Sequence, residues 1–304
     1  MSTRVTNSMI TRSLLSDLND VTARLVETQQ KLSSGKELTR PSDNPFAVSR
    51  AIALRGSLEA TRQYQRNTIE ARAWSDTTEV ALARITDTIQ RARELLVQGG
   101  NDANGPAARE AIAAEVEGLI DAAKQEANTA YAGRYVFAGT DTDTRPYATG
   151  ASDAYAGNAA AVAREIGPGV SLNVNVMGSD VLGQGQGAAD DKLLHVLRDM
   201  VDHLRGGTPA DANALRTTDL ARLDDNLDEL TRVRAVVGST TNRLETAESR
   251  LLELEEASRT LLSQTEDADM AKTLIDFSTQ QAVYQSALRA GANIVQASLL
   301  DFLR

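Results

Sequence analysis

Apolar positions at steps of four and three run along the last segment of the chain. Met270, Leu274, Phe277, Gln281, Tyr284, Leu288, Gly291, Val295, Ser298 and Phe302 follow this spacing, and seven of the ten are large and apolar. Such a stripe predicts an amphipathic helix with a seam for another helix. A matching stripe lies near the start at Leu14, Leu18, Val21, Leu25, Thr28 and Leu32, five of six apolar. It predicts a helix over residues 8–33, ended at Ser33-Ser34-Gly35, where glycine supplies a left-handed C-terminal position. Chain ends usually fray. Stripes held near both ends therefore point to docking and assembly.

The segment between them is also largely helical in pattern. A connector over 36–44 contains Arg40-Pro41-Ser42-Asp43-Asn44 and leads into Pro45. Asn44 reads as an N-cap, with proline at the first helical position. The next helix runs over 45–98, roughly 80 Å at the usual rise per residue. Residues 99–105 form a turn, and Pro106 restarts a helix to about 129. Residues 131–187 change character, with Gly, Ala, Thr and Asp between short alternating runs. Strands are expected at 134–138, 155–158, 161–166 and 170–177, forming a small β-rich insert.

Helix returns over 190–204. Thr208-Pro209-Ala210-Asp211 then reads as a cap, and a helical pattern continues to 266. Its apolar stripe includes Leu244, Ala247, Leu251, Leu254, Ser258 and Leu261. Glu266-Asp267-Ala268-Asp269 places negative charge before the last helix, where it suits the helix dipole. The expected fold is mainly α, with long antiparallel helices in a bundle and the two ends brought back together.

Composition narrows the function. Aromatic residues make up 4% of the 304, which suits helix bundles. The net charge of −10 argues against nucleic-acid binding. The charge is uneven: residues 1–72 hold 11 Lys/Arg and 7 Asp/Glu, a net of +4 that leaves −14 on the remainder. This is either variation along helix surfaces or complementarity between subunits or between the two ends. The absence of cysteine excludes disulfides, thiolate metal sites and a cysteine nucleophile. No cleavable signal peptide is expected, because residues 1–10 lack an apolar core. No apolar run approaches the roughly 20 residues of a membrane span.

Catalytic, cofactor and metal chemistry find no residues to carry them. His195 and His203 stand in a ladder with Asp191 and Asp199 at every fourth position. Neighbours in such a ladder lie side by side on a helix. No further His or Cys completes a metal shell, so a solvated helix face is expected. Asp141-Thr142-Asp143-Thr144-Arg145 opens like a calcium loop but fails at Arg145 and Pro146. Nucleophile-elbow, phosphate-loop and dinucleotide motifs are absent. Trp74 and Tyr64 read as packing residues.

Several segments resemble the bacterial flagellin-like family, and within it the hook-associated, hook–filament junction branch. They are Leu32-Ser33-Ser34-Gly35-Lys36 with Arg40-Pro41-Ser42-Asp43-Asn44-Pro45, and Glu266-Asp267-Ala268-Asp269 with its amphipathic continuation. Arg134-Tyr135-Val136-Phe137-Ala138-Gly139-Thr140 and Ser298-Leu299-Leu300-Asp301-Phe302-Leu303 belong with them. The resemblance covers nearly the whole chain and is loose in the insert. The Pro-Ser-Asp-Asn-Pro connector and the short insert separate the chain from filament flagellins.

The resemblance implies a rod-like fold in three parts. Residues 1–40 with 267–304 would form a terminal coiled-coil layer, 41–138 with 189–266 a long-helix bundle, and 139–188 a small β-rich insert domain. It implies a non-enzymatic, extracellular adaptor joining flagellar hook to filament. The adaptor would be exported unfolded through the flagellar secretion apparatus, with a chaperone on the C-terminal segment. Expected partners are further copies in a ring or short helical layer, another junction protein, flagellin and the hook. Neither nucleic acid nor membrane insertion is expected. Leu14, Leu18, Val21, Leu25, Leu32, Leu274, Phe277, Tyr284, Leu288, Val295, Leu299 and Phe302 would carry subunit packing. Arg40, Pro41, Asp43, Asn44 and Pro45 would set the hinge between layers. A short filament-forming flagellin, or a secreted adhesin using the insert, are the alternatives. One apolar face offsets the ordering cost of a terminal helix only thinly, so the ends are expected to order when neighbours cover them.

Overall fold

A computed structural model describes residues 7–101, 104–150, 152–185, 188 and 190–302, with side chains throughout except at 7, 8, 10, 11 and 293–302. Long helices dominate. In chain order they are α1 (Asn7–Ser34), α2 (Pro45–Gly99) and α3 (Pro106–Ala127), then after the insert α4 (Gly178–Val181), α5 (Leu193–Gly206) and α6 (Pro209–Ala214). A π-helical turn (Leu215–Asp219) leads into α7 (Leu220–Glu266), and α8 (Met270–Phe302) follows. Two antiparallel pairs, β1 (Ala130–Tyr131) with β2 (Arg134–Tyr135) and β3 (Ala163–Gly167) with β4 (Val170–Asn173), are the only sheets among the described residues.

The helix boundaries follow the local chemistry. Gly35 ends α1 in the left-handed region at φ 68°. Asn44 caps α2, its Oδ1 accepting from the Ala47 amide at 3.1 Å. Thr208 and Asp211 form a reciprocal capping box ahead of α6. The π turn between α6 and α7 gave no signal in the apolar period.

The chain divides into two compact units, Met1–Ala60 with Leu254–Arg304 and Thr61–Glu253. In the second unit, α2 buries two interleaved heptad rows: Thr68, Ser75, Leu82, Ile89 and Leu96, and Ala71, Thr78, Ile85 and Ala92. The buried threonines donate to their own helix, Thr68 Oγ1 to the Tyr64 carbonyl at 2.8 Å and Thr78 Oγ1 to that of Trp74 at 2.9 Å. Both threonine hydroxyls are thus satisfied inside an otherwise apolar seam. Leu223, Leu230, Val237, Leu244 and Leu251 bury a strict seven-residue row on α7. The two helices run antiparallel: Arg93 bonds Asp224 at 2.8 Å, Arg234 bonds Glu79 at 2.6 Å and Arg72 bonds Glu245 at 2.9 Å.

The insert is less β-rich than its alternation suggested. Within 134–138 only Arg134 and Tyr135 pair. Val136 and Phe137 turn inward and are fully buried. Residues 155–158 form no strand: Tyr155 makes one isolated bridge, to Tyr147, and its hydroxyl donates to the Phe137 carbonyl at 2.8 Å. Strand β4 stops at Asn173, short of the expected 177. Side-chain anchoring replaces ladder pairing here. The Lys124 ammonium on α3 donates to the Gly150 and Ser152 carbonyls and to Asp153 Oδ1, the last at 3.0 Å, and Arg198 on α5 closes on Asp153 at 2.7 Å. Burial pushes the Asp153 carboxyl up, but the hydrogen bonds from Arg198 and Lys124 outweigh it and hold the group low.

Candidate assembly site

The first unit carries both terminal stripes. On α1, Leu14, Leu18, Val21, Leu25 and Leu32 are half-buried and Thr28 is buried. They face α8, and Thr28 Oγ1 donates to Gln280 Oε1 at 2.8 Å across the seam. The α8 positions turned inward are Thr273, Phe277, Gln280, Tyr284, Ala287 and Gly291. A Cβ on Gly291 would stand 3.0 Å from Leu14 Cδ2, so glycine permits the close approach of the two helices.

The α8 stripe read from sequence therefore divides between two faces. Phe277, Tyr284 and Gly291 join the seam with α1. Leu274 at 55% exposure and Leu288 at 46% lie outside it, with Met270, Ile275 and Val283 also exposed. Val295, Leu299 and Phe302 lie outside the described side chains. The polar and small seam positions Thr273, Gln280, Ala287 and Gly291 hid the inward face from an apolar period. Leu15 and Val26 on α1, Phe46 and Ile52 on α2, and Leu254 and Leu261 on α7 are further exposed apolar residues of this unit. An outward apolar set of this size is a candidate interaction surface.

The two connectors meet at a joint. The Glu37 amide donates to the Glu266 carbonyl at 2.7 Å, and the Ala268 amide donates to the Gly35 carbonyl at 3.0 Å. Lys36 Nζ reaches Glu266 Oε1 and Asp267 Oδ1, each at 2.6 Å. Arg55 on α2 bonds the other oxygen of Glu266, a side chain only 7% exposed. Hydrogen bonding to Asp267 and Glu266 raises the Lys36 pKa, and the bond from Lys36 lowers that of Asp267.

The expected hinge residues build a separate turn beside this joint. Asp43 Oδ2 accepts from the Arg40 amide at 2.8 Å and from the Thr39 amide at 3.3 Å, which holds its carboxyl low. Asn44 caps α2, and Arg40, Pro41, Asp43, Asn44 and Pro45 are all exposed. Lys36, Arg55, Glu266 and Asp267 were missed as a group. The acidic run was legible, but only Asp269 serves the α8 N-terminus, accepting from the Ala271 amide at 3.0 Å.

The histidine ladder is not a solvated face. His203 Nδ1 lies 2.7 Å from Oδ2 of the fully buried Asp219 on the π turn. Arg222 on α7 bonds Asp191 at 2.7 Å and Asp199 at 2.6 Å. The ladder joins α5 to its neighbours, because the π turn and α7 pack over it. Among the described residues no group of three or more His, Cys, Asp or Glu could hold a metal, and no helix is long and apolar enough to cross a membrane.

Residues 5–142 match the bacterial flagellin N-terminal helical region, and residues 220–303 match the bacterial flagellin C-terminal helical region. The chain is 25% identical over 314 residues to flagellar hook-associated protein 3 of Escherichia coli strain K12, covering 98% of this chain and 99% of that protein. It is 26% identical over 308 residues to a flagellin of Bacillus subtilis strain 168, covering 99% and 100%. The solved structure of a flagellar hook-associated protein from Vibrio parahaemolyticus has a similar fold, with a TM-score of 0.64 at 19% identity, over 74% of this chain and 100% of that one. Long paired helices with an outward apolar surface, carrying both of these regions, define a structural component of the flagellum. The chain belongs to the bacterial flagellin family.

Proposed function

We propose that this chain is a non-catalytic adaptor that joins the flagellar hook to the filament. The observation that carries this reading is the exposed apolar set on α8 and α1, which one chain leaves uncovered and further copies can cover. Leu14, Leu18, Val21, Leu25 and Leu32 with Phe277 and Tyr284 hold α1 to α8. Leu274 and Leu288, with Val295, Leu299 and Phe302 further along α8, meet neighbouring subunits. Residues 1–40 with 267–304 form the inner layer, 41–138 with 189–266 the long-helix layer, and 139–188 the outer insert. Arg40, Pro41, Asp43, Asn44 and Pro45 set the angle between the first two. The partners are the hook, flagellin, another junction protein and an export chaperone on α8, and the site of action is extracellular. Similarity along nearly the whole length of a hook-associated protein 3 supports the junction role.

Deleting residues 270–304 tests the reading. Motility should be lost while the second unit stays folded, and normal motility after the deletion would overturn it. The comparable similarity to a flagellin supports a second reading, a short filament-forming subunit. Purified chain that grows long filaments unaided would decide for that one.

A further inference from the structure

A cavity in the second unit is built like a socket for an acid. It has a volume of about 300 Å³ and is lined by Glu70, Trp74, Tyr131, Ala132, Arg134 and Arg164 among others. Trp74 is only 5% exposed, and among the described residues its indole Nε1–H has no hydrogen-bond partner. Buried indole N–H groups usually find a partner, and leaving one unpaired costs about 1–3 kcal/mol. The ring is held edge-on against Tyr131, with centroids 6.4 Å apart. Among the described residues, Arg134 on β2, Arg164 on β3 and Glu70 on α2 make no side-chain hydrogen bond or ion pair. Ala132, in the turn between β1 and β2, is held at φ 48°. With Gly133 at φ 79° it forms the two-residue turn that joins the hairpin, which fixes Arg134 beside the cavity.

We propose that this cavity receives a carboxylate side chain from a second copy of the chain. Two guanidinium groups offer paired donors to a carboxylate. Glu70 reduces the local charge to +1, which suits a monoanion better than a phosphate. Glu70 is left to accept from an amide beside the incoming carboxylate. A second copy supplies such groups in excess, because the chain from residue 73 onward carries a net of −14. The inference rests on the assembly reading above and adds a polar contact, in the second unit, to the apolar contacts of the first.

The single tryptophan of the chain is Trp74, so intrinsic emission reports on this cavity alone. Titrating the full chain with N-acetylglutamate α-amide should shift that emission saturably, while the glutamine analogue and inorganic phosphate should not. Arg134→Gln with Arg164→Gln should weaken the response at least about tenfold without changing the unfolding midpoint. A photo-crosslinking residue in place of Glu70, in flagellated cells, should yield an adduct of twice the chain mass. An absent emission response, or one unchanged in the double variant, overturns the socket. A normal response with adducts only to other proteins, or with none, overturns the second copy as occupant. Unaided growth of long filaments by the purified chain tests the adaptor reading separately. If no filaments grow, motility depends on the chain and the emission stays silent, only the socket fails.

Discussion

Lys36 Nζ lies 2.6 Å from Glu266 Oε1, joining residues 230 positions apart. The contact sits where the chain leaves α1 and where it enters α8, so one ion pair ties both connectors together. Glu266→Gln should destabilise the first unit by about 1–3 kcal/mol, because the amide keeps one acceptor but removes the charge and turns a donor toward the second cation in a nearly buried site. Proteolysis within residues 35–44 should accelerate with it. Denaturant unfolding, together with the cleavage rate in that segment, measures both effects. Wild-type values for both would remove the joint from the account.

The same joint sets a pH dependence. Asp267 has its pKa lowered below the ordinary 3.8, so its contribution is present above that value and is lost as pH falls through the lower folded value. Lys36 has its pKa raised above 10.5, so its contribution is present below that value and is lost as pH rises through the folded one. The joint should therefore hold across the neutral range and loosen at both extremes. Asp267→Asn should flatten the acid limb only, read as the rate of cleavage within 35–44 against pH. Both groups are more than a third exposed, so salt should weaken the effect.

Lys124, Asp153 and Arg198 form a buried ion cluster that anchors the insert. Asp153→Ala would leave the Lys124 ammonium unpaired in the core, at a cost of about 3–5 kcal/mol. Pairing Asp153→Leu with Lys124→Met should recover only part of that loss, because Arg198, whose side chain is 19% exposed, still loses its carboxylate. Chemical denaturation of the single and double variants checks the cycle. A single variant as stable as wild type would remove the cluster from the account of the insert.

Seam and outward residues should separate in their effects. Leu25→Ala should cost about 1–3 kcal/mol, from a half-buried leucine between α1 and α8. Leu274→Ser with Leu288→Ser should change the stability of the free chain by less than about 0.5 kcal/mol per site, because both side chains already meet solvent. The double variant should nevertheless lose motility. Motile cells carrying it would remove Leu274 and Leu288 from the packing surface.

The two helical ends should be the first parts of the free chain to open. Limited proteolysis should cut within 1–35 and 270–304 before the second unit. Coverage by neighbouring subunits should then protect both. Ends as resistant as α2 in the free chain would show that the α1–α8 seam suffices by itself.

Periodicity and capping chemistry made most of the fold legible. Gly35, Asn44 and the Thr208–Asp211 box act through neighbours a few residues away, so their effect can be read along the chain. The α8 stripe was legible only as apolar content. Its division into a seam through Phe277 and Tyr284 and an outward face through Leu274 and Leu288 depended on α1. The seam itself uses Thr273, Gln280, Ala287 and Gly291, which carry little apolar signal. The strands of the insert were overread for a related reason. Alternation at 134–138 reflected burial of Val136 and Phe137 in a turn, which imitates a strand without a ladder.

By itself the sequence determined the long helices, their ends, the apolar stripe along α1 and the flagellin-like character of the chain. These rest on local propensity and period, which act within a few residues. Only the tertiary structure decided which face of α8 is covered. It also decided that Lys36 and Arg55 share Glu266, that His203 rests on a buried Asp219, and that Trp74 is left with an unpaired donor. Each of these depends on groups far apart in the chain, and their charges and hydrogen bonds meet only after the helices have packed.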